Sequence, residues 1–262
     1  MMLRISNIAD FLESFAPVRL AEAWDNVGLL VGDMQTPVER VMTCLTITPA
    51  SLSEAIEQRA NLIVTHHPLP FRALKQLTRG TPEGRMLLDL IGAGIGVYSP
   101  HTAFDSAAEG INQRLAMGLG LQNVQAILPA ADGVLGSGRW GKLAQPIFLS
   151  GLADRVKQFL RISNAQLVGA LDRKIETVAV ACGSAGEFLG PARVAGCDCL
   201  VTGEVRFHTA LEAEATDIAI VLAGHYASER FAVEALAQVL QKQFAGLHVW
   251  VSSQEADPLT WY

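Results

Sequence analysis

The feature that most constrains how this chain can fold is a pattern of strand, helix and strand that occurs twice. Strands are predicted at residues 41–47 and 62–65 in the first copy, and at 178–182 and 199–202 in the second. In each copy 24 positions separate the start of the first strand from the end of the second, and both second strands end in Val-Thr. Short strands that alternate with helices are typical of a mixed or parallel sheet covered by helices. We therefore predict an α/β fold.

Each copy continues into a further strand and then into a histidine with an acidic residue four positions later. These pairs are His101 with Asp105 in the first half and His225 with Glu229 in the second. The shared order of features favours an internal duplication over two unrelated units with similar propensities.

The duplication predicts two structural repeats, at residues 1–130 and 131–262. Their boundary is expected near Pro129-Ala130-Ala131-Asp132-Gly133, because proline and glycine are common in turns and loops.

Three helices are predicted within the first half, over residues 51–59, 82–91 and 107–117. Ser51 is expected to cap the first helix, because a glutamate follows at the spacing of a capping box. Thr81 is expected to cap the second, because a proline occupies the next position, where its missing N–H costs nothing.

Composition and charge exclude several classes of protein. Half of the residues are hydrophobic and 18% are charged, as in ordinary globular chains and unlike disordered proteins or coiled coils. The 20 lysines and arginines against 26 aspartates and glutamates give a net charge of −6. This charge disfavours nucleic acid as a principal partner and leaves a small-molecule substrate as the expected one.

The sequence shows no pattern for secretion or membrane insertion. The N-terminus lacks a basic segment followed by an apolar run, and no uncharged stretch makes an apolar span of about 20 residues. The four cysteines form no Cys-x-x-Cys pair, which favours small apolar residues in strands over a disulfide framework. We therefore expect a cytoplasmic protein without membrane contact.

Two adjacent histidines, His66 and His67, directly follow the predicted strand 62–65. Neighbouring side chains of a strand point to opposite faces, so these imidazoles do not readily share one ion but could serve two neighbouring ions. Two loop histidines that hydrogen-bond to the backbone are an equally good interpretation of this pair alone.

The spacing of His225 and Glu229 is typical of a half-site for a divalent metal. Residues four apart on a helix face the same side, and a neutral imidazole with a carboxylate is a common ligand pair. Such a pair on a helix surface is also common without a metal, but His101 and Asp105 repeat the spacing in the corresponding place. Two pairs, together with the adjacent histidines, strengthen the metal hypothesis.

These histidines all lie at or just after the carboxyl ends of predicted strands, where α/β sheets bind ligands. Nitrogen and oxygen donors without sulfur predict zinc, iron, manganese or nickel and exclude a cysteine-type structural zinc site. A carboxylate shared by two ions about 3.5–4 Å apart would form a dinuclear site that activates water for hydrolysis.

Three further polar residues lie in or near this region of the pattern. Glu204 occupies the place in the second half that the adjacent histidines occupy in the first, and either a base beside the metals or a solvated loop carboxylate fits it. His208 is expected beside the site, and His248 is expected to be structural in a C-terminal strand.

A nucleotide-binding glycine pattern, Gly-x-Gly-x-x-Gly, is matched by the residue types of one segment but not by its context. The segment is Gly136-Ser137-Gly138-Arg139-Trp140-Gly141. No clear strand precedes it and no helix follows it, which is the context that such a motif requires. We interpret it as a glycine turn, with contact between Arg139 and an anion as the alternative.

Several of these segments together resemble the Nif-three-like family, whose members are often called GTP cyclohydrolase type two homologues. The resemblance runs in order over nearly the whole chain, and the His-His-Pro and Gly-His-Tyr-x-x-Glu motifs are specific when taken together. The segments that carry it are Glu22-Ala23-Trp24-Asp25-Asn26-Val27-Gly28-Leu29, Ile63-Val64-Thr65-His66-His67-Pro68, His101-Thr102-Ala103-Phe104-Asp105, Gly136-Ser137-Gly138-Arg139, Val201-Thr202-Gly203-Glu204 and Gly224-His225-Tyr226-Ala227-Ser228-Glu229.

The resemblance implies two intertwined repeats, each a mixed β-sheet flanked by helices, and commonly a toroidal hexamer. It also implies a dinuclear site with two divalent transition-metal ions per chain, Glu229 bridging them, and His101 and Glu204 beside the site. By position, the metal ligands would be His66, His67, Asp105, His225 and Glu229. The chain departs from many relatives at residues 204–209, where it has one histidine instead of two consecutive ones.

Two functions fit this pattern. The first is a metal-dependent hydrolase that acts on a nucleotide-like or pterin-like small molecule, with His101 or Glu204 moving the proton. The second is a metal-binding scaffold or regulatory protein without catalysis, in which every ligand position is filled. We favour the hydrolase.

Overall fold

The structure of the protein, a computed structural model, describes residues 2–131 and 133–260. The chain divides into two compact units, the first formed by Met1–Phe104 with Ala232–Tyr262 and the second by Asp105–Phe231. Each unit contains one mixed β-sheet with helices beside it. The predicted α/β class of mixed sheets flanked by helices is therefore confirmed.

The predicted repeats at 1–130 and 131–262 concern duplicated sequence order, whereas the two units are defined by contacts in space. The repeats therefore stay a prediction, and Asp132 of their expected boundary lies outside the described residues. None of the helices in the described part of the chain combines the length and the apolar character that a bilayer crossing needs.

The elements are numbered in chain order. The helices are α1 (Ile5–Phe15), α2 (Pro49–Glu57), α3 (Pro82–Ala93), α4 (His101–Ser106), α5 (Ile111–Gly118), α6 (Leu149–Leu160), α7 (Leu189–Val194), α8 (Phe207–Ala215) and α9 (His225–Gln243). The strands are β1 (Gly28–Val31), β2 (Arg40–Cys44), β3 (Leu62–Thr65), β4 (Gly96–Ser99), β5 (Gln122–Pro129), β6 (Gly136–Phe148), β7 (Gln166–Val168), β8 (Lys174–Ser184), β9 (Cys199–Glu204), β10 (Ala219–Leu222) and β11 (His248–Val251).

The sheet of the first unit has the strand order β1-β4-β3-β2-β11. Strands β11, β2, β3 and β4 run parallel, and only β1 is antiparallel to its neighbour. Every residue of β2, β3 and β4 except Arg40 is buried, as expected for parallel strands that are covered on both faces. The carboxyl ends of these three strands therefore lie side by side at one edge of the sheet.

The sheet of the second unit has the strand order β5-β6-β8-β9-β10-β7. Its central strands β8, β9 and β10 run parallel, and the remaining pairs are antiparallel. Leu115 of α5 and Leu152 of α6 belong to the apolar core on one face, whereas Leu189 of α7 and Ala213 of α8 belong to a second core. Both faces of the central strands are thus covered by helices.

The two parallel strand pairs share a pairing register. Val41 pairs with Leu62 between β2 and β3, and Val178 pairs with Cys199 between β8 and β9, so the partners are 21 positions apart in both sheets. The strand that was predicted at 62–65 is confirmed without change.

Two of the three predicted helices in the first half differ from the structure. Thr48, rather than Ser51, caps α2, because the helix begins at the proline of position 49 and Thr48 Oγ1 accepts from the Ser51 N–H at 3.2 Å. The helix predicted over 107–117 begins only at Ile111, because residues 107–110 form a turn and Gly110 is the N-cap of α5. Thr81 caps α3 as predicted.

The segment 136–141 is the first part of β6, so its interpretation as a glycine turn is wrong. The strand is hydrogen-bonded between β5 and β8. A Cβ on Gly136 would lie 2.0 Å from the Leu128 carbonyl oxygen. The glycine therefore permits a close approach of β5, a feature of strand pairing that composition does not distinguish from a turn.

The Arg139 guanidinium is buried and binds backbone carbonyls within the second unit rather than presenting itself to an anion. Its Nε also donates to the Gln113 side chain at 3.0 Å, and burial lowers its pKa from the ordinary value. The carbonyl acceptors, at 2.5–2.9 Å, are those of Gly136, Gly138, Ser106 and Ala107. Arg139 is thus a structural cation that ties β6 to the segment after α4.

Replacing Arg139 with alanine should lower the free energy of unfolding by about 3 kcal/mol, because several buried carbonyls lose their donor at once. The exposed Lys142 of the same strand is the matched control, and Lys142→Ala should change the free energy by less than about 0.5 kcal/mol. Urea denaturation followed by circular dichroism measures both variants. Equal midpoints for the two would contradict this account of Arg139.

Candidate metal centre

Three histidines lie together in the first unit, just past the carboxyl ends of β3 and β4. We call His66, His67 and His101 the histidine cluster. Their ring centroids are 5.0 to 5.6 Å apart, and one ring nitrogen from each lies within 4.8 Å of the others. Because β3 and β4 are parallel neighbours, the residues that follow them meet at the same edge of the sheet.

Local hydrogen bonds hold His66 and His67 in place. Ser99 Oγ donates to the His66 carbonyl at 2.7 Å, and Thr46 Oγ1 shares a hydrogen bond of 2.6 Å with His67 Nδ1. The carboxylate of Glu255 in turn accepts from the N–H groups of Leu45, at 2.9 Å, and Thr46. The C-terminal segment thereby fixes the loop that orients His67.

His101 is oriented by a carboxylate. Its Nδ1 lies 2.7 Å from Asp25 Oδ1, and the other carboxylate oxygen accepts from the backbone N–H and the hydroxyl of Thr102. Burial alone would raise the pKa of Asp25, but these hydrogen bonds and the charge of His101 lower it to about 2. A carboxylate on Nδ1 is a common arrangement for setting the tautomer of a catalytic or metal-binding histidine.

A second cluster, which we call the carboxylate cluster, lies in the second unit and consists of Glu204, His225 and Glu229. His225 Nε2 is 3.1 Å from Glu229 Oε2, and His225 Nδ1 is 3.0 Å from Glu204 Oε1. The hydrogen bond that His225 donates to Glu229 raises the pKa of His225 against the opposing effect of burial, and the charges of both carboxylates add to bring it to about 9. The two neighbouring carboxylates therefore favour the protonated, cationic form of the His225 imidazole.

Asp105 is supported by the end of β8. The Cys182 thiol lies 3.2 Å from Asp105 Oδ1 as a donor, and Asn112 connects the two segments, since it donates to the Asp105 carbonyl and accepts from the Cys182 N–H. Burial raises the pKa of Cys182 well above its usual value, and the charges of Asp105 and Glu229 raise it further. Cys182 is thus a neutral thiol that donates to a candidate ligand.

Gly183 makes room for Glu229. Its φ is +67°, and a Cβ at this position would lie 2.3 Å from Glu229 Oε1. Ser228 Oγ accepts from the Gly183 N–H at 2.9 Å, which anchors the start of α9 to the end of β8. A backbone without a side chain is therefore required beside this carboxylate.

The residues predicted for the site lie in the two clusters, except Asp105, whose carboxylate contacts Cys182 in the second unit. His66 and Glu229 are buried, whereas the side chain of Glu204 is about half exposed, at 52%. His208 lies at the exposed start of α8, where its ring contacts Phe207, and His248 lies in β11 beside Trp250, as predicted for a strand residue.

Sequence reasoning missed three supporting residues: Asp25, Thr46 and Cys182. Asp25 carried a usable signal, because it is an acidic residue in a segment of the family resemblance. Cys182 was interpreted as an apolar strand residue, and its burial is consistent with that, but its contact with Asp105 depends on tertiary structure.

Known proteins are similar to this chain over nearly its whole length. The family model for Duf34/NIF3 (NGG1p interacting factor 3) matches residues 3–258. The chain belongs to the DUF34/NIF3 family. It is 35% identical over 264 residues to a "GTP cyclohydrolase 1 type 2 homolog" of Clostridium acetobutylicum, with 98% of each chain covered. It is also 34% identical over 272 residues to a "Protein NIF3 homolog" of Schizosaccharomyces pombe, with 97% of each covered.

Solved structures share the fold of this family member. A Bacillus cereus protein related to NIF3 has a TM-score of 0.91 at 24% identity over the full length of both chains. A Staphylococcus aureus hypothetical protein has a TM-score of 0.90 at 26% identity, again over both full chains. The predicted family resemblance is therefore confirmed.

Asp25→Asn should lower the free energy of unfolding at pH 7 by about 1–2 kcal/mol, and this deficit should shrink with acid. The pKa of Asp25 is about 2 in the folded protein and near 3.8 when unfolded, so its stabilisation is complete above pH 4 and is lost as pH falls through 2. Urea denaturation at pH 7, 4 and 3 measures the difference, which should be about halved at pH 3. The exposed pair of Asp89 with Arg79 supplies the control Asp89→Asn, and a deficit that grows with acid would contradict the assignment.

Gly183→Ala should displace the Glu229 side chain and lower the free energy of unfolding by about 2 kcal/mol, from a left-handed backbone and a steric clash. Gly190 of α7 is the matched control, because a Cβ there meets nothing within 4 Å. Gly190→Ala should leave stability unchanged or raise it by up to about 1 kcal/mol. Urea denaturation and crystal structures of both variants test this. An unmoved Glu229 in a fully stable Gly183→Ala protein would refute the steric argument.

Proposed function

We propose that this DUF34/NIF3 family member binds two divalent transition-metal ions per chain and uses them to hydrolyse a nucleotide-like or pterin-like small molecule. The observation that carries the proposal is the histidine cluster, in which nitrogens of the proposed ligands His66 and His67 and of the proposed proton carrier His101 lie within 4.8 Å of one another at the carboxyl edge of a parallel sheet. Imidazoles at such distances, beside carboxylates elsewhere in the chain, are a donor set suited to zinc, iron, manganese or nickel.

In the first unit, His66 and His67 are the proposed ligands. Nδ1 of His67 is bonded to Thr46, so a metal ion held by His67 would be bound through Nε2. The Thr46 hydroxyl on Nδ1 fixes the tautomer and the orientation of the His67 ring, as supporting residues do around metal-binding histidines.

In the second unit, Asp105, His225 and Glu229 are the proposed ligands. The donor set fits a cation, because carboxylates surround His225, and a bound ion would replace the proton that they now stabilise on its ring. The space beside Glu229 is kept open by Gly183, which is consistent with a carboxylate placed to bind rather than to pack.

The ions would supply electrophilic activation of substrate and water, and the protein would handle the protons. His101 is the proposed proton carrier in the first unit, because Asp25 holds its Nδ1 and leaves proton exchange to Nε2. Glu204 is the proposed carrier in the second, since it is accessible to solvent and already bonded to His225.

The substrate class rests on the relatives. Several carry the name "GTP cyclohydrolase 1 type 2 homolog", which supports a purine or pterin compound as the substrate to test. The cytoplasmic location and the hexameric assembly expected from the sequence stay predictions.

A scaffold or regulatory role without catalysis is the second candidate, and one observation favours it. His66 and Glu229 are only 2% and 4% exposed, and such burial is typical of closed structural metal sites. In that case substitution of Glu229 should alter assembly and thermal stability while no substrate is turned over.

Elemental analysis of protein purified without chelator should find about two transition-metal ions per chain, and His67→Ala and Glu229→Ala should bind them at least about tenfold more weakly. The exposed residues His248 and Glu212 supply the controls His248→Ala and Glu212→Ala, which should keep full metal content. Full metal content in both ligand variants would refute the proposed site.

The same preparations decide between the two functions. Metal-loaded wild-type protein should hydrolyse at least one member of a panel of nucleotides, phosphoesters and cyclic amides, and Glu204→Gln should slow this reaction by about 100-fold or more while it retains metal. Retained metal without any turnover, together with loss of assembly in Glu229→Ala, would favour the scaffold.

A further inference from the structure

Two large aromatic side chains are exposed beside the histidine cluster. Trp24 is 62% exposed and Phe71 is 46% exposed. Water contact of so much aromatic surface is unfavourable, and adjacent exposed aromatic residues commonly mark ligand-binding surfaces.

The two rings and the His101 imidazole form a nearly equilateral triangle. The ring centroids of Trp24 and Phe71 are 6.0 Å apart, and those of the two aromatic rings lie 6.0 and 6.1 Å from His101. Both aromatic rings meet His101 edge-on, at interplanar angles of 76° and 75°. The aromatic pair therefore stands next to the proposed proton carrier.

Hydrogen bonds made by the residues that follow Trp24 and by the residue before Phe71 hold this arrangement. Asp25 is bound to His101 and Thr102, and Asn26 Nδ2 donates to the Pro70 carbonyl at 2.7 Å. The residue after Trp24 is thus tied to the histidine cluster, and the next residue is tied to the segment that carries Phe71. These bonds preorganise both rings, which reduces the entropic cost of binding a ligand against them.

We propose that Trp24 and Phe71 form a stacking site for the planar heteroaromatic ring of a purine-like or pterin-like substrate. Flat rings of this kind stack on aromatic side chains with little dependence on their substituents, and the interaction is worth a measurable share of affinity. The site would hold the ring beside His101, so that the reacting group is presented to the proton carrier. The stacking site rests on the proposed function, and Trp24 and Phe71 would select the substrate class.

Equilibrium dialysis of guanosine against metal-free, chelator-treated protein tests the stacking site without any turnover. Wild-type protein should bind guanosine and not ribose, and Trp24→Ala and Phe71→Ala should each weaken guanosine binding about 5- to 150-fold. Trp24→Phe keeps a flat ring and should stay within about threefold of wild type. Phe207 of the second unit is 72% exposed, and Phe207→Ala is the matched control that should leave guanosine binding unchanged.

The result separates the stacking site from the metal chemistry. Guanosine binding that depends on Trp24 and Phe71 upholds the stacking site even if metal-loaded protein hydrolyses nothing. Equal guanosine binding in wild type and both alanine variants, or failure of the wild type to bind guanosine, overturns it even if the metal content is as proposed. A change confined to oligomeric mass on size-exclusion chromatography also overturns it, because the pair would then be a contact between copies of the chain.

Discussion

Parallel pairing of buried strands is the constraint on which the candidate site depends. In the first unit β2, β3 and β4 run parallel, so Thr46, His67 and His101 come from chain segments that all leave the sheet at the same edge. In the second unit β8, β9 and β10 do the same for Cys182 and His225. An antiparallel arrangement would send alternate segments to opposite edges and scatter these side chains. The buried parallel strands thereby determine the edge of each sheet at which the candidate site residues lie.

Each of three candidate site residues has a hydrogen-bonding partner that holds its side chain. Asp25 holds His101, Thr46 holds His67, and Cys182 donates to Asp105, each through a contact of 2.6 to 3.2 Å. A buried polar group lowers stability unless it has a hydrogen-bonding partner. These partners also limit the motion of the rings and carboxylates that they contact. A preorganised donor set of this kind suits ion binding and proton transfer alike.

The sequence predicted the parts of this structure that depend on local pattern. The strand at 62–65, the cap at Thr81 and the placement of histidines just past strand ends follow from residue type and short-range spacing, and the structure has them. The predictions that failed concern segments whose residues fit two local structures equally well. Ser51 and Thr48 are both good cap residues, and the proline after Thr48 decided between them. The glycines at 136–141 serve strand pairing, which short-range composition cannot separate from a turn.

What the sequence by itself determined is the alternation of strands and helices, the family, and the residue types that could bind a metal, because periodicity and motif order are local properties of the chain. Only tertiary structure decided which side chains support them. Asp25 precedes His101 by 76 positions and Cys182 follows Asp105 by 77, and no local spacing relates such residues. Their contacts arise because each sheet brings distant loops to one edge. A buried polar group there lowers stability unless it is hydrogen-bonded, and these contacts supply the hydrogen bonds.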